Sequence, residues 1–252
     1  MKLLYLLMFF TTISCSTLNS PKLNEPNARE YQVGAYLWFQ NSGEYRALCY
    51  QAYNFARLRL DRDLEDKHNR KRAVVFDIDE TVFDNSFGGA YEIKNNIAWD
   101  KNNLAKWIKL KIAEAIPGAK EFIEYAISRQ VEVIYISNRL KTDVNDTLDN
   151  FKRLGISAKR ENLYFLSKDW SKEDRRLEVL KTYDVVMFFG DNLGDFHKNW
   201  DSKKSDERRA LVDLHRQEFG DKFIILPNPL YGDWESSLQK SNNRLDLLKT
   251  AL

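Results

Sequence analysis

From residue 31 to about 67, apolar, aromatic and charged residues mix without proline, and Tyr45, Leu48, Ala52, Phe55 and Ala56 recur at helical spacing. That predicts a helical segment with this stripe turned inward. The pattern changes at 73–76, where Ala-Val-Val-Phe is an unbroken apolar run, as in a strand buried on both faces. Similar runs follow at 131–136, 163–166, 184–189 and 222–226. Helical patterns lie between them at 101–113, 119–129 (Phe122, Ile123, Ala126 and Ile127 inward), 143–154, 172–181 and 206–219. Pro117-Gly118, Gly155 and the 227–229 Pro-Asn-Pro run punctuate the series, and Ser171 is placed to cap the helix from 172. Residues 86–100, with Gly88-Gly89, read as irregular. Strands alternating with helices predict an α/β fold, a Rossmann-like parallel sheet flanked by helices, at 71–235. A smaller helical elaboration precedes it at 29–70 and a tail follows at 236–252.

The strand ends carry the chemistry. The first run stops in Asp77-Ile-Asp79-Glu80-Thr81, the second in Ser137-Asn138-Arg139, the third in 168–172 with Lys172, and the fourth in Gly190-Asp191 with Asp195 beyond. Parallel strands place their exits along one edge, where open α/β sheets bind ligands. Asp77 and Asp79 are two apart, so extended backbone sends both to one face, which is costly unless a cation or a proton offsets the repulsion. Carboxylates, waters and a phosphate are how Mg2+ is held, and a lysine with backbone N–H groups can take the remaining phosphoryl oxygens. A free carboxylate beside the metal can attack phosphorus, and a second can pass a proton. No serine-histidine-acid triad and no GxxxxGK[ST] loop occurs. His68, His197 and His215 are scattered without metal-ligand spacing, and read as surface or satisfied histidines.

Composition narrows the class. Of 252 residues, 43% are hydrophobic and 30% charged, which describes a globular body. A net charge of +2 gives no pull toward nucleic acid. At the start, Lys2, the apolar run 3–10 and then small residues have the plan of a secretory signal (1–14), too short to span a membrane. Ile13-Ser14-Cys15 resembles a lipobox, with Thr12 where leucine is usual, so Cys15 is a candidate for lipidation, and 15–28 would form a polar tether. Cys49 alone remains in the body and cannot form an internal disulfide; its helical, apolar setting predicts a buried inert thiol.

The runs Val75-Phe76-Asp77-Ile78-Asp79-Glu80-Thr81-Val82 and Gly190-Asp191-Asn192-Leu193-Gly194-Asp195-Phe196 resemble the bipartite signature of bacterial class C non-specific acid phosphatases. These are the outer-membrane lipoprotein e type within the haloacid dehalogenase superfamily. The likeness extends through 44–48, 115–119 and 227–232, and departs from the signature at Phe83, Gly88 (an aromatic position) and Met187. It implies a Mg2+-dependent phosphomonoesterase with Asp77 as nucleophile and metal ligand, and Asp79 as acid/base and metal ligand through its carbonyl. Ser137, Asn138 and Lys172 would bind phosphate, with Lys168 a near rival for the lysine role. Asp191 would complete the metal site, Asp195 would anchor a metal-bound water, and Tyr231 would meet the substrate, joined by Trp99, Tyr91 or Trp234. Aryl phosphates and 5'-nucleotides are the substrates the resemblance implies, with a homodimer lipid-anchored at the outer membrane. The second Asp, absent from dehalogenases and replaced by Thr in P-type ATPases, supplies the proton an alkoxide leaving group needs. Phosphotransfer to an alcohol, and a binding lipoprotein with a dead site, are the alternatives.

Overall fold

The computed structural model describes residues 29–168, 170–241 and 243–251; the expected signal, the tether and Cys15 lie outside them. Its strands are β1 (Arg72–Phe76), β2 (Phe83–Asp84), β3 (Glu114–Ala115), β4 (Glu132–Leu140), β5 (Leu163–Leu166), β6 (Asp184–Gly190) and β7 (Phe223–Ile225). Its helices are α1 (Val33–Asn41), α2 (Gly43–Asp63), α3 (Ser86–Lys94), α4 (Lys101–Leu110), α5 (Ala119–Ser128), α6 (Val144–Leu154), α7 (Lys172–Thr182), α8 (Ser205–Leu214) and α9 (Asp233–Ser236). Five strands form a parallel sheet in the order β5-β4-β1-β6-β7, and β2 pairs antiparallel with β3. The chain builds outward from β1 through β4 and β5, then crosses to β6 and β7 on the other side. That reversal opens the crevice at the carboxyl ends of β1 and β6.

β1 explains why the sheet is buried on both faces. Val74 and Phe76 enter one cluster with Tyr53, Phe122 and Phe189, while Ala73 and Val75 enter the other with Ile134, Val179, Phe188 and Phe223. Phe76 stacks on Phe189 with centroids 4.2 Å apart, which locks β1 to β6 beneath the crevice. Each such fully buried side chain contributes about 1.5–3 kcal/mol.

The structure corrects several expected elements. The helical stretch from 31 divides at Ser42, whose extended backbone and hydroxyl, accepting from the Tyr45 N–H at 3.0 Å, cap a new helix. On α2 the buried stripe is Tyr45, Cys49, Tyr53, Ala56 and Leu60; Leu48 and Phe55 are exposed. Both stripes have helical spacing, and the tertiary partner decides: Tyr53 lies over Phe189 and its hydroxyl donates to the Thr81 carbonyl at 2.6 Å. Cys49 is fully buried, and burial pushes its thiol up to about 11, in keeping with an inert role. On α5, Ile127 faces solvent.

Residues 86–94, read as irregular, are helix α3. Its two glycines are close-approach positions: a Cβ at Gly89 would overlap the Tyr36 hydroxyl, and one at Gly88 would stand 2.8 Å from the Trp107 ring. The helix expected to reach 113 ends at Leu110, because Lys111 turns left-handed (φ 60) and leads into β3. β4 runs past 136 to Leu140, so Ser137, Asn138 and Arg139 ride on the strand itself. Likewise α8 stops at Leu214, short of 219.

Candidate active site

The Asp77 N–H donates to the Phe189 carbonyl at 2.8 Å, carrying the β1–β6 ladder one residue past the strand and pinning Asp77 in the crevice. The chain then turns through Glu80 in a left-handed conformation (φ 57), and the Val82 and Phe83 N–H groups close back on the Ile78 carbonyl. A non-glycine residue in that region stores strain, which the surrounding bonds must overcome. They are supplied here: the fully buried Glu80 carboxyl accepts from the Asn85 N–H at 2.9 Å and from the Tyr231 hydroxyl. Burial, with Asp79 and Asp191 nearby, holds the Glu80 carboxyl well above the usual range.

Three carboxylates gather at the exits of β1 and β6. Asp77, Asp191 and Asp195 each offer an oxygen, all within 4.8 Å of one another. The Lys172 ammonium donates at 2.5 Å to both Asp77 and Asp195. Burial pushes the Asp77 carboxyl up to about 7; Lys172 pulls it down, and Asp195 and Asp79 add to the rise. Asp191 is held well above its ordinary value by burial and by Asp195 and Asp77. Burial opposes the Lys172 charge, but Asp195 and Asp77 outweigh it and raise its pKa. With all three acids ionised, one ammonium leaves two negative charges in a buried space. Hard oxygens with that deficit suit a divalent cation.

Helix α7 assembles this end of the crevice. Ser171 caps it, its hydroxyl accepting from the Asp174 N–H at 3.1 Å. Lys172, Arg175 and Arg176 then fall at helical spacing on one side. Arg175, fully buried, donates to the Ser137 carbonyl at 2.5 Å and to the Asn138 side-chain oxygen at 2.8 Å. Arg176 donates to the Gly194 and Asp195 carbonyls at 2.7 and 3.0 Å. One helix therefore holds the ends of β4 and β6 together. Gly190 is needed for close approach: a Cβ there would lie 2.4 Å from Asp195 side-chain atoms. Asp191 is aimed by Asn228, whose amide donates to it at 2.7 Å.

The Asp79 carboxylate points elsewhere. Arg139 donates to it through Nη2 at 2.8 Å and Nε at 3.0 Å, Asn85 donates at 2.8 Å, and the Ser137 hydroxyl lies at 3.4 Å. Burial opposes its ionisation, yet Arg139 and Asn85 hold the carboxyl below the usual range.

Asp77, Lys172, Asp191 and Asp195 thus converge, and Asp79 with Ser137 stands beside them. Asp195, expected to anchor a water, has its carboxylate in the trio, whereas the Asp79 side chain is turned away to Arg139. Lys168 is exposed, so the lysine at the carboxylates is Lys172. Asn138 is exposed, with its oxygen on Arg175. Tyr231 is half-exposed and tied to Glu80, and the Trp234 indole N–H donates to its carbonyl at 3.0 Å; Tyr91 and Trp99 are exposed. His68 lies by Asp63 and Asp184, and His215 by Glu218, outside the carboxylate cluster.

Arg139, which the second strand exit offers either to the site or merely to the turn, is held on Asp79. Glu80, Asn85, Arg175 and Asn228 carry much of the geometry although the sequence does not mark them as site residues. Their one signal in the sequence is adjacency to the strand exits, or to Lys172 at helical spacing.

Comparison with known proteins agrees with this geometry. Residues 11–234 match the family model described as HAD superfamily, subfamily IIIB (acid phosphatase). The class C acid phosphatase of Bacillus anthracis with tungstate bound superposes with a TM-score of 0.84 at 39% identity, covering 89% of this chain and 99% of the other. A second structure of that class C acid phosphatase gives a TM-score of 0.79 at 41% identity over 82% and 87% of the two chains. Vegetative storage protein 2 of Arabidopsis thaliana is 25% identical over 217 residues, 81% of this chain and 71% of that protein. The parallel sheet, the carboxylate cluster on its β1–β6 crevice and these matches agree that the chain belongs to the acid phosphatases of haloacid dehalogenase subfamily IIIB and is a phosphomonoesterase of the class C type.

Proposed function

We propose that the chain hydrolyses phosphomonoesters, aryl phosphates and 5'-nucleotides among them, through an aspartyl phosphate on Asp77 with Mg2+ as cofactor. The observation that carries this reading is the ammonium of Lys172, single among the described residues, set against Asp77 and Asp195 with Asp191 alongside, a buried site short of a divalent cation. Asp77, Asp191 and the Asp79 carbonyl would hold Mg2+, with Asp195 beside it. The bound ion supplies Lewis-acid stabilisation of the phosphoryl oxygens.

An Asp77 oxygen forms a bond to phosphorus as the ester P–O bond breaks, and Asp79 delivers its proton to the leaving oxygen. Water then attacks the same phosphorus while Asp79 takes its proton, and the Asp77–phosphorus bond breaks to release phosphate. Lys172, Ser137 and Asn138 meet the charge on the other phosphoryl oxygens. Without substrate Arg139 keeps Asp79 ionised; an arriving phosphate dianion raises its pKa, so activity is highest at mildly acidic pH. Tungstate, a tetrahedral oxyanion like phosphate, is bound by the Bacillus anthracis relative. Tyr231 offers a half-exposed ring to an aryl or nucleobase leaving group.

Hydrolysis of p-nitrophenyl phosphate by the soluble fragment, lost with EDTA, restored by Mg2+ and abolished by Asp77→Asn, is the expected result. Full activity of Asp77→Asn rejects the nucleophile. Product analysis with an added alcohol separates hydrolysis from phosphotransfer. Secretion, acylation at Cys15, an outer-membrane location and a homodimer complete the proposal, resting on the resemblance of the N-terminal segment and of the family.

A further inference from the structure

Asn85 ties together four polar side chains around the turn that carries Asp79. Only 8% exposed, it ends the turn that begins at β1 and precedes α3. Its amide nitrogen donates to Asp79 Oδ1 at 2.8 Å and to Glu80 Oε2 at 3.4 Å. Its amide oxygen accepts from Trp107 Nε1 at 2.8 Å and from Arg139 Nη2 at 3.5 Å. The orientation of the amide is forced, because an indole N–H can only donate and an ionised carboxylate can only accept. Turned over, the group would set donor against donor and acceptor against acceptor.

Trp107 belongs to α4, a separate element, and it can reach Asn85 because residue 88 is glycine. Any Cβ at Gly88 would stand 2.8 Å from the Trp107 ring. Gly88, Trp107, Asn85 and Asp79 therefore form one physical chain from α3 and α4 to the carboxyl.

We propose that Asn85, clamped by Trp107, is the positioning residue that aims the Asp79 carboxyl at the leaving oxygen, while Asp77 and the cation site are left alone. The proposal rests on Asp79 acting as the general acid. Its signature is dependence on the leaving group: nitrophenolate departs without help, whereas an alkoxide needs the proton.

The test compares kcat/KM, which reads only the steps through departure of the leaving group, for p-nitrophenyl phosphate and glycerol 2-phosphate in wild type, Asn85→Ala, Trp107→Phe, Gly88→Ala and Asp79→Asn, each with saturating Mg2+. Asn85→Ala should lower kcat/KM for the alkyl ester by about 30-fold or more and for the nitrophenyl ester by less than about 3-fold. Trp107→Phe, which keeps a ring over Gly88 but removes the N–H, and Gly88→Ala, which displaces the ring, should show the same selectivity at about 5-fold. If Asn85→Ala does not fold, Trp107→Phe and Gly88→Ala decide the matter. Equal losses on both esters, or none, overturn the positioning role. If Asp79→Asn lacks the selective loss, the general-acid reading itself falls; if Asp79→Asn shows it and the others do not, only the role of Asn85 falls.

Discussion

Asp77 is a buried carboxyl whose titration should be readable in the stability of the metal-free protein. It ionises at 3.8 in an ordinary setting and is pushed up to about 7 in the fold, chiefly by burial. A carboxyl with a higher pKa folded than unfolded favours folding most where it is protonated. Its contribution is therefore full below about pH 4 and is lost as pH rises to 7. At about 1.4 kcal/mol per pH unit, the interval from 3.8 to about 7 has a ceiling on the order of 4 kcal/mol. Glu132 runs the other way: against burial, Lys159, Lys71 and Asn162 hold it at about 2, so its contribution is lost only below the usual carboxylate range.

A window from about pH 5 to 8 therefore isolates the rising side. Urea unfolding in EDTA should show wild type losing roughly 3 kcal/mol more across that window than Asp77→Asn, whose amide does not titrate. Groups remote from Asp77 cancel in the difference, whereas Asp191, which Asp77 helps to raise, shifts down in Asp77→Asn and adds to it. Added Mg2+ should flatten the wild-type profile, because it binds the ionised carboxylates and so stabilises most at high pH, by about 2.7 kcal/mol where it reaches 100 times its Kd. Parallel pH profiles for wild type and Asp77→Asn would refute the claim that this carboxyl is desolvated in the crevice.

Three further outcomes follow from particular contacts. Gly190→Ala puts a Cβ against Asp195 and should weaken Mg2+ binding at least about tenfold by calorimetry, with helix content by circular dichroism unchanged. Arg175→Met leaves the Ser137 and Tyr164 carbonyls without their donor and should cost about 3 kcal/mol of stability in urea; a loss under about 1 kcal/mol would show that water replaces it. Cys15→Ser should move the protein from the membrane fraction to the soluble fraction of cells, and an unchanged distribution would reject lipidation at that residue.

The apolar runs and their period determined the fold class, because a strand buried on both faces needs unbroken apolar sequence whatever its neighbours are. The strand exits likewise announced a phosphate and cation chemistry, since Asp77, Asp79, Ser137 and Asp191 are local features of single exits. Periodicity states that a face is buried, but not what covers it. That is why spacing alone points Leu48 and Phe55 inward when the Tyr45–Cys49–Tyr53 stripe meets the sheet, and why Gly88-Gly89 reads as a break when it is a bed for Tyr36 and Trp107.

The grouping of charges was decided only in three dimensions. Lys172 reaches Asp77 across 95 residues, and Tyr231 reaches Glu80 across 151. Whether Asp195 or the Asp79 side chain joins the carboxylate trio depends on Arg139, which draws Asp79 to itself from another strand. Such pairings are set by how strands and helices pack, and local sequence carries no record of which distant partner arrives.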